Sequence, residues 1–109
     1  MVPEIIEQKK SEIAALCRTY RIRALWLFGS AVTGAWDPAT SDFDFLVDLG
    51  EYEDAVVYRY LDLADALEEL LGRKVDLVTV RSVRSPLFRQ ELHETRVLVH
   101  ESRNGKEAA

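Results

Sequence analysis

Between positions 24 and 28 the chain runs Ala-Leu-Trp-Leu-Phe and then stops at Gly29. Five apolar residues are too few for a helix, and the glycine interrupts whatever precedes it, so the run predicts a buried strand. A buried strand needs layers packed on it, and the flanking segments supply them. Apolar residues at Val2, Ile6, Ile13, Leu16, Cys17 and Tyr20 follow helical spacing, with Pro3 suited to a first turn; a helix from about Pro3 to Tyr20 is expected. Residues 30–41, rich in Gly, Thr, Pro and Ser, predict a turn with room for a short helix and then a loop. Phe43, Phe45, Val47 and Leu49 then alternate with Asp42, Asp44, Leu46 and Asp48, as on a strand with two unlike faces.

A second amphipathic helix should carry Val57, Tyr60, Leu61, Ala64, Leu67 and Leu71 on one stripe and end at Gly72. The acidic residues Asp48, Glu51, Glu53 and Asp54 suit its N-terminal end. Val75–Val80 predicts a third strand, Ser85-Pro86 opens a short helix bearing Phe88 and Leu92, and Val97–Val99 predicts a last strand. Helices alternating with strands in this order specify an α/β or α+β sandwich, a small mixed β-sheet flanked by helices. One domain over residues 1–101 is expected, with residues 102–109 as a frayed, flexible tail.

Composition narrows the function classes. At 109 residues, with 48% hydrophobic and 30% charged, the chain suits one globular domain, with no room for a second, substrate-binding one. Fourteen Lys and Arg against nineteen Asp and Glu leave a net charge of −5, so direct nucleic-acid binding is not expected. A single cysteine, Cys17, excludes an intrachain disulfide and a thiolate metal cluster. His93 and His100 make no zinc set with it. The apolar runs fall far short of the roughly 20 residues that span a bilayer, and Glu4 and Glu7 are foreign to a signal peptide; a cytoplasmic protein is expected.

The chemistry concentrates in three places. Asp42 and Asp44, at i and i+2, would point to one side of a strand with Cα atoms ~6.6 Å apart, close enough to share one cation. Alone, such a pair fits solvated strand-end residues equally well. Gly29-Ser30 ends one strand and opens a turn, where free N–H groups favour an anion, Gly29 permits close approach and Ser30 adds a hydroxyl. It could also be an ordinary turn and helix cap. The combination is more specific: strand, Gly-Ser, an eleven-residue connection, then Asp-x-Asp opening a second strand. Asp76 interrupts an apolar strand, where a charge is costly unless paired or metal-bound. It could complete a carboxylate triad, or form a salt bridge with Arg73, Lys74 or Arg81. Trp36, in the loop between Ser30 and Asp42, could stack on a base or partner, or fold back over its own loop.

At these residues the chain resembles a known superfamily. Leu27-Phe28-Gly29-Ser30, the following Gly34, and Ser41-Asp42-Phe43-Asp44-Phe45-Leu46-Val47 look like the signature of the DNA polymerase β-type nucleotidyltransferases. The chain's size and Leu71-Gly72-Arg73-Lys74-Val75-Asp76-Leu77-Val78 narrow the resemblance to the minimal nucleotidyltransferase (MNT) group. The resemblance implies the polymerase β-like palm fold. It implies that Gly29 and Ser30 hold the triphosphate of ATP, that Asp42 and Asp44 bind two Mg²⁺ ions, and that Asp76 is a third catalytic, metal-side carboxylate beside the acceptor. It also implies a partner: a helical HEPN-domain toxin encoded nearby, silenced when AMP is transferred to one of its tyrosines. The metal ions, roughly 3.5–4 Å apart in such sites, would stabilise the entering and leaving oxygens. No membrane partner is expected, and a homo- or hetero-oligomer is compatible with all of this.

One stretch departs from the pattern. Many relatives read Gly-Ser-x-Ala-Arg-Gly, whereas this chain reads Gly29-Ser30-Ala31-Val32-Thr33-Gly34. The loss removes one or two charge-assisted contacts, each about 1.5–3 kcal/mol before compensation. Two other readings therefore stand beside catalysis on a protein: a binding-only antitoxin with an idle site, and an aminoglycoside-type transferase acting on small molecules.

Overall fold

The computed structural model describes residues 2–102. Its elements run α1 (Glu4–Gln8), α2 (Lys10–Thr19), β1 (Ala24–Phe28), α3 (Ser30–Thr33), β2 (Phe43–Asp48), α4 (Val56–Leu71), β3 (Val75–Thr79), a 3₁₀ turn (Val80–Ser82), α5 (Pro86–Thr95) and β4 (Val97–Glu101). The strands form one mixed sheet in the order β3-β2-β1-β4. β1 lies antiparallel to both neighbours, while β2 and β3 are parallel and joined by the α4 crossover. This is the small helix-flanked mixed sheet expected from the pattern, with the architecture of a polymerase β-like palm.

The two faces of the sheet differ in what covers them. On one, Leu25, Leu27, Phe43, Phe45 and Val47 are fully buried beneath α2, through Ile13 and Cys17, and α4, through Leu63 and Leu67. Cys17 lies inside this core, where burial pushes its thiol pKa up to about 12, so it is an inert apolar residue. The opposite face presents Trp26, Leu46 and Val78, roofed by α5 through Leu92 and by Val83. Ser85 caps α5 by accepting the Phe88 N–H at 3.3 Å, with Pro86 in the first helical turn, as the Ser-Pro pair predicts.

Three expectations are corrected. The helix anticipated from Pro3 to Tyr20 bends at Lys9, where φ is −99° and ψ is 10°. Backbone hydrogen bonds still run through the joint, and Ile6 and Ile13, two turns apart, are both buried, so the apolar period carries no trace of the bend. On α4 the buried stripe is Arg59, Leu63, Leu67 and Leu71, not Val57 and Leu61, which are exposed. Pattern reading is misled because Arg59 holds a core position. Its guanidinium donates to the carbonyls of Tyr20, Arg21, Leu49 and Glu51 and pairs with Glu53 at 2.9 Å, so every donor has a use at low exposure. Glu53, from the acidic run assigned to the helix end, is thereby committed to Arg59, and its carboxyl is held below the usual range by that hydrogen bond. Finally, the tail does not begin at Ser102. That residue is buried and its N–H donates to the Arg23 carbonyl at 2.9 Å. The rest of the expected tail, 103–109, lies outside the described residues.

Candidate active site

The end of β1 and the starts of β2 and β3 meet in one row of the sheet. Phe28 pairs with Asp44 across the β1–β2 ladder, and Asp44 pairs with Asp76 across β2–β3. Neighbouring strands are about 4.8 Å apart, so residues opposite one another present their side chains on the same face. Asp44 and Asp76 therefore stand side by side on the face that α5 covers further along, at Leu46 and Val78.

Gly29 follows Phe28 at φ 74° and ψ −149°, in the region that favours glycine. A Cβ placed there would collide with the Asp44 carboxylate oxygen and lie 3.2 Å from its Cγ. Thus Gly29 does more than make a turn: it leaves the space that the Asp44 carboxylate occupies, and joins the Gly-Ser bend to the Asp-x-Asp strand. Ser30 begins α3, whose single turn closes with the Val32 N–H on the Gly29 carbonyl at 3.0 Å. The first N–H groups of such a turn, those of Ser30 and Ala31, have no partner within it. Four residues make a weak dipole, so an anion at this bend would meet chiefly those N–H groups and the Ser30 hydroxyl. Thr33, in the position that carries arginine in the family pattern, is exposed.

Asp42 differs from its expected placement. It precedes β2 by one residue, since the ladder begins where the Phe43 N–H donates to the Lys74 carbonyl at 3.1 Å. The Asp42 carbonyl instead accepts from the indole N–H of Trp36 at 3.2 Å. Trp36 has folded back, stacked on Phe43 with centroids 5.0 Å apart and rings 13° from parallel. Arg73, considered above as a salt-bridge partner for Asp76, turns the other way. It donates to the carbonyls of Ser41, at 2.9 Å, and Pro38, with its guanidinium 4.9 Å from the Trp36 ring centre. Among the described residues Asp76 has no ion pair with Arg73, Lys74 or Arg81. It is also exposed, because it occupies the outward position between buried Val75 and Leu77. Its charge meets solvent and needs no partner to persist there; what sets it apart is its position opposite Asp44.

Sequence reasoning did not find Arg73 as a support of the Asp42 loop. The contact spans 32 positions, and no local period connects a helix-end cation with carbonyls of a distant loop.

Electrostatics tie the three acids together. The Asp44 carboxyl is shifted above its ordinary pKa, first by burial, then by the negative charges of Asp76 and Asp42. A cation among them would relieve that repulsion. Yet among the described residues no three acidic, His or Cys side chains close into a ready-made metal cage. Mg²⁺ in phosphoryl-transfer sites is held by one or two carboxylates together with substrate phosphates and water. The residues present fit such an ion: a half-buried carboxylate with raised pKa, two acids within its field, and the Gly29 collar beside it.

A palm-type mixed sheet with acids at the row where its strands begin, next to a glycine-serine bend, defines the nucleotidyltransferase class. Comparison with known proteins agrees. The family model described as "Nucleotidyltransferase domain" matches residues 9–99, and the chain belongs to that family. A Methanocaldococcus jannaschii protein named as a candidate protein adenylyltransferase, MJ1379, is 32% identical over 90% of this chain and 94% of its own length. The protein adenylyltransferase MntA of Thermococcus cleftensis is 32% identical over 85% of this chain and 88% of its own. Among solved structures, a toxin–antitoxin crystallised with AMP-PNP is similar at 26% identity and a TM-score of 0.66, over 87% of this chain and 75% of that one. No helix among the described residues is long and apolar enough to cross a membrane.

Proposed function

We propose that this protein transfers AMP from ATP to a tyrosine hydroxyl of a HEPN-domain toxin encoded beside it, and so acts as its antitoxin. The observation that carries the reading is the placement of Asp44, collared by Gly29 on one side and opposite Asp76 on the other. Likeness to protein adenylyltransferases and to a toxin–antitoxin with AMP-PNP supports the choice of AMP and of a toxin acceptor.

Each residue then has a role. Ser30 and the N–H groups after Gly29 hold the triphosphate tail. Asp42 and Asp44 would hold two Mg²⁺ ions, which when bound neutralise the triphosphate and ease charge build-up at the α-phosphorus. The acceptor oxygen forms its bond to the α-phosphorus as the bond from that phosphorus to the β-bridging oxygen breaks, and pyrophosphate leaves. Asp76 orients the hydroxyl and takes its proton. Positioning and charge neutralisation account for most of the rate in such displacements.

A large acceptor suits the setting. Asp42 and Asp76 are exposed and β3 is a sheet edge, so the site is an open face that a folded partner can approach. A small molecule would find few walls to hold it. A binding-only antitoxin is the second reading, favoured by Thr33 where the family pattern that the chain resembles has arginine.

The test is to incubate the protein with Mg-ATP and the product of the adjacent gene and read intact masses. AMP-sized increments on a toxin tyrosine are expected, and none with Asp42→Ala/Asp44→Ala. Absence of increments with every nucleotide, together with full neutralisation by the double variant, would establish the binding-only reading.

A further inference from the structure

We infer that Arg73 and Trp36 are positioning residues that fix the Cα–Cβ direction of Asp42, and hence metal affinity. The inference rests on the reading of Asp42 as a metal ligand. Of the three acids, Asp44 and Asp76 lie inside strands, where ladder hydrogen bonds on adjacent peptides fix the Cα–Cβ direction. Asp42 lies outside the ladder and needs another means of support.

That support falls on both peptide planes flanking its Cα. The plane before it carries the Ser41 carbonyl, held by Arg73 at 2.9 Å. The plane after it carries the Asp42 carbonyl, held by the Trp36 indole at 3.2 Å, and the Phe43 N–H, held by the Lys74 carbonyl at 3.1 Å. Two fixed planes determine φ and ψ of the residue between them, and so the direction of its Cα–Cβ bond. The two clamping side chains also brace each other, since Arg73 sits over the Trp36 ring and Trp36 stacks on Phe43. Because Arg73 lies two residues before the strand bearing Asp76, one side chain ties the Asp42 loop to the segment that leads into the third acid.

The test uses the full chain with Mn²⁺ as the probe, its binding followed by electron paramagnetic resonance with AMP-PNP present, beside melting temperature and transfer rate. Trp36→Phe keeps an aromatic ring but loses the N–H; Arg73→Ala loses both carbonyl contacts, and Arg73→Lys should restore part of the effect. Groups that orient metal ligands typically account for 10–100-fold in affinity, so a Mn²⁺ dissociation constant raised about tenfold or more is expected for Arg73→Ala. A smaller rise is expected for Trp36→Phe, with little change in melting temperature. If both variants bind Mn²⁺ as wild type does while Asp42→Ala loses it, the clamp is refuted and the ligand assignment stands. If Asp42→Ala binds Mn²⁺ unchanged, the ligand assignment falls and the inference with it.

Discussion

Asp44→Asn is expected to make the metal-free protein more stable and to remove most of its stabilisation by Mg²⁺. Asp44 faces Asp76 across neighbouring strands, with Asp42 two residues away. At a strand separation of about 4.8 Å, one pair of like charges repels by about 1 kcal/mol at the dielectric of water and by three to four times that at an effective constant near 20. Asp44 is only half-buried, so screening holds the effect near the lower end, about 1 kcal/mol. For a domain of this size that corresponds to a rise of about 4–8 °C in melting temperature. The raised pKa of Asp44 comes from burial and neighbouring charge alone, so asparagine sacrifices no hydrogen bond. The sign follows from linkage: an acid whose folded pKa is raised favours the folded state below its unfolded pKa and loses that contribution as pH rises through the folded value. The variant's advantage should therefore be absent at low pH, where both carboxyls are protonated, and grow through the carboxylate range. Thermal unfolding in EDTA across that range, repeated with Mg²⁺ and AMP-PNP, measures both effects. Wild type should gain about 2.7 kcal/mol at a ligand concentration of about 100 times Kd, and the variant far less. A variant no more stable than wild type in EDTA at neutral pH, or stabilised equally by Mg²⁺, would refute the account of this site.

Gly29→Ala should reduce transfer by more than about 100-fold, because its Cβ enters the space of the Asp44 carboxylate at a positive φ; kcat/KM beside far-UV circular dichroism separates this from unfolding. Thr33→Arg restores a cation beside the triphosphate and should lower the KM for ATP about tenfold, as one charge-assisted contact implies; an unchanged KM would mean that the exposed position does not reach the phosphates. Arg59→Ala removes the partner of four carbonyls and of Glu53, and should cost about 3 kcal/mol or more in urea unfolding. Arg59→Lys should recover little of this, since an ammonium cannot reproduce the planar fork.

Much of this architecture can be read from residue order alone. Phe43, Phe45 and Val47 alternating with Asp44 and Asp48 specify a strand with one wholly apolar face, and the run from Ala24 to Phe28 specifies a second, buried strand, because strand periodicity is local. The Gly-Ser bend and the acid pair are local as well, and their spacing is sufficient to suggest a phosphate-and-metal site. Which strand lies beside which is not a local property. Only the sheet order puts Asp76 opposite Asp44 and turns an unexplained charge in an apolar strand into the neighbour that raises a carboxyl pKa.

The same holds for the two arginines. Arg59 occupies a core position on α4 that the apolar spacing assigns to other residues, and a charge there makes sense only when four carbonyls from separate segments converge on it. Arg73, three residues before Asp76, is one of three nearby cations that could pair with it, whereas the fold offers it the Ser41 and Pro38 carbonyls and the Trp36 ring. A residue's neighbours along the chain determine its element and the face it occupies. Its partners are determined by packing, since a hydrogen-bonding group takes whatever the assembled fold brings within reach.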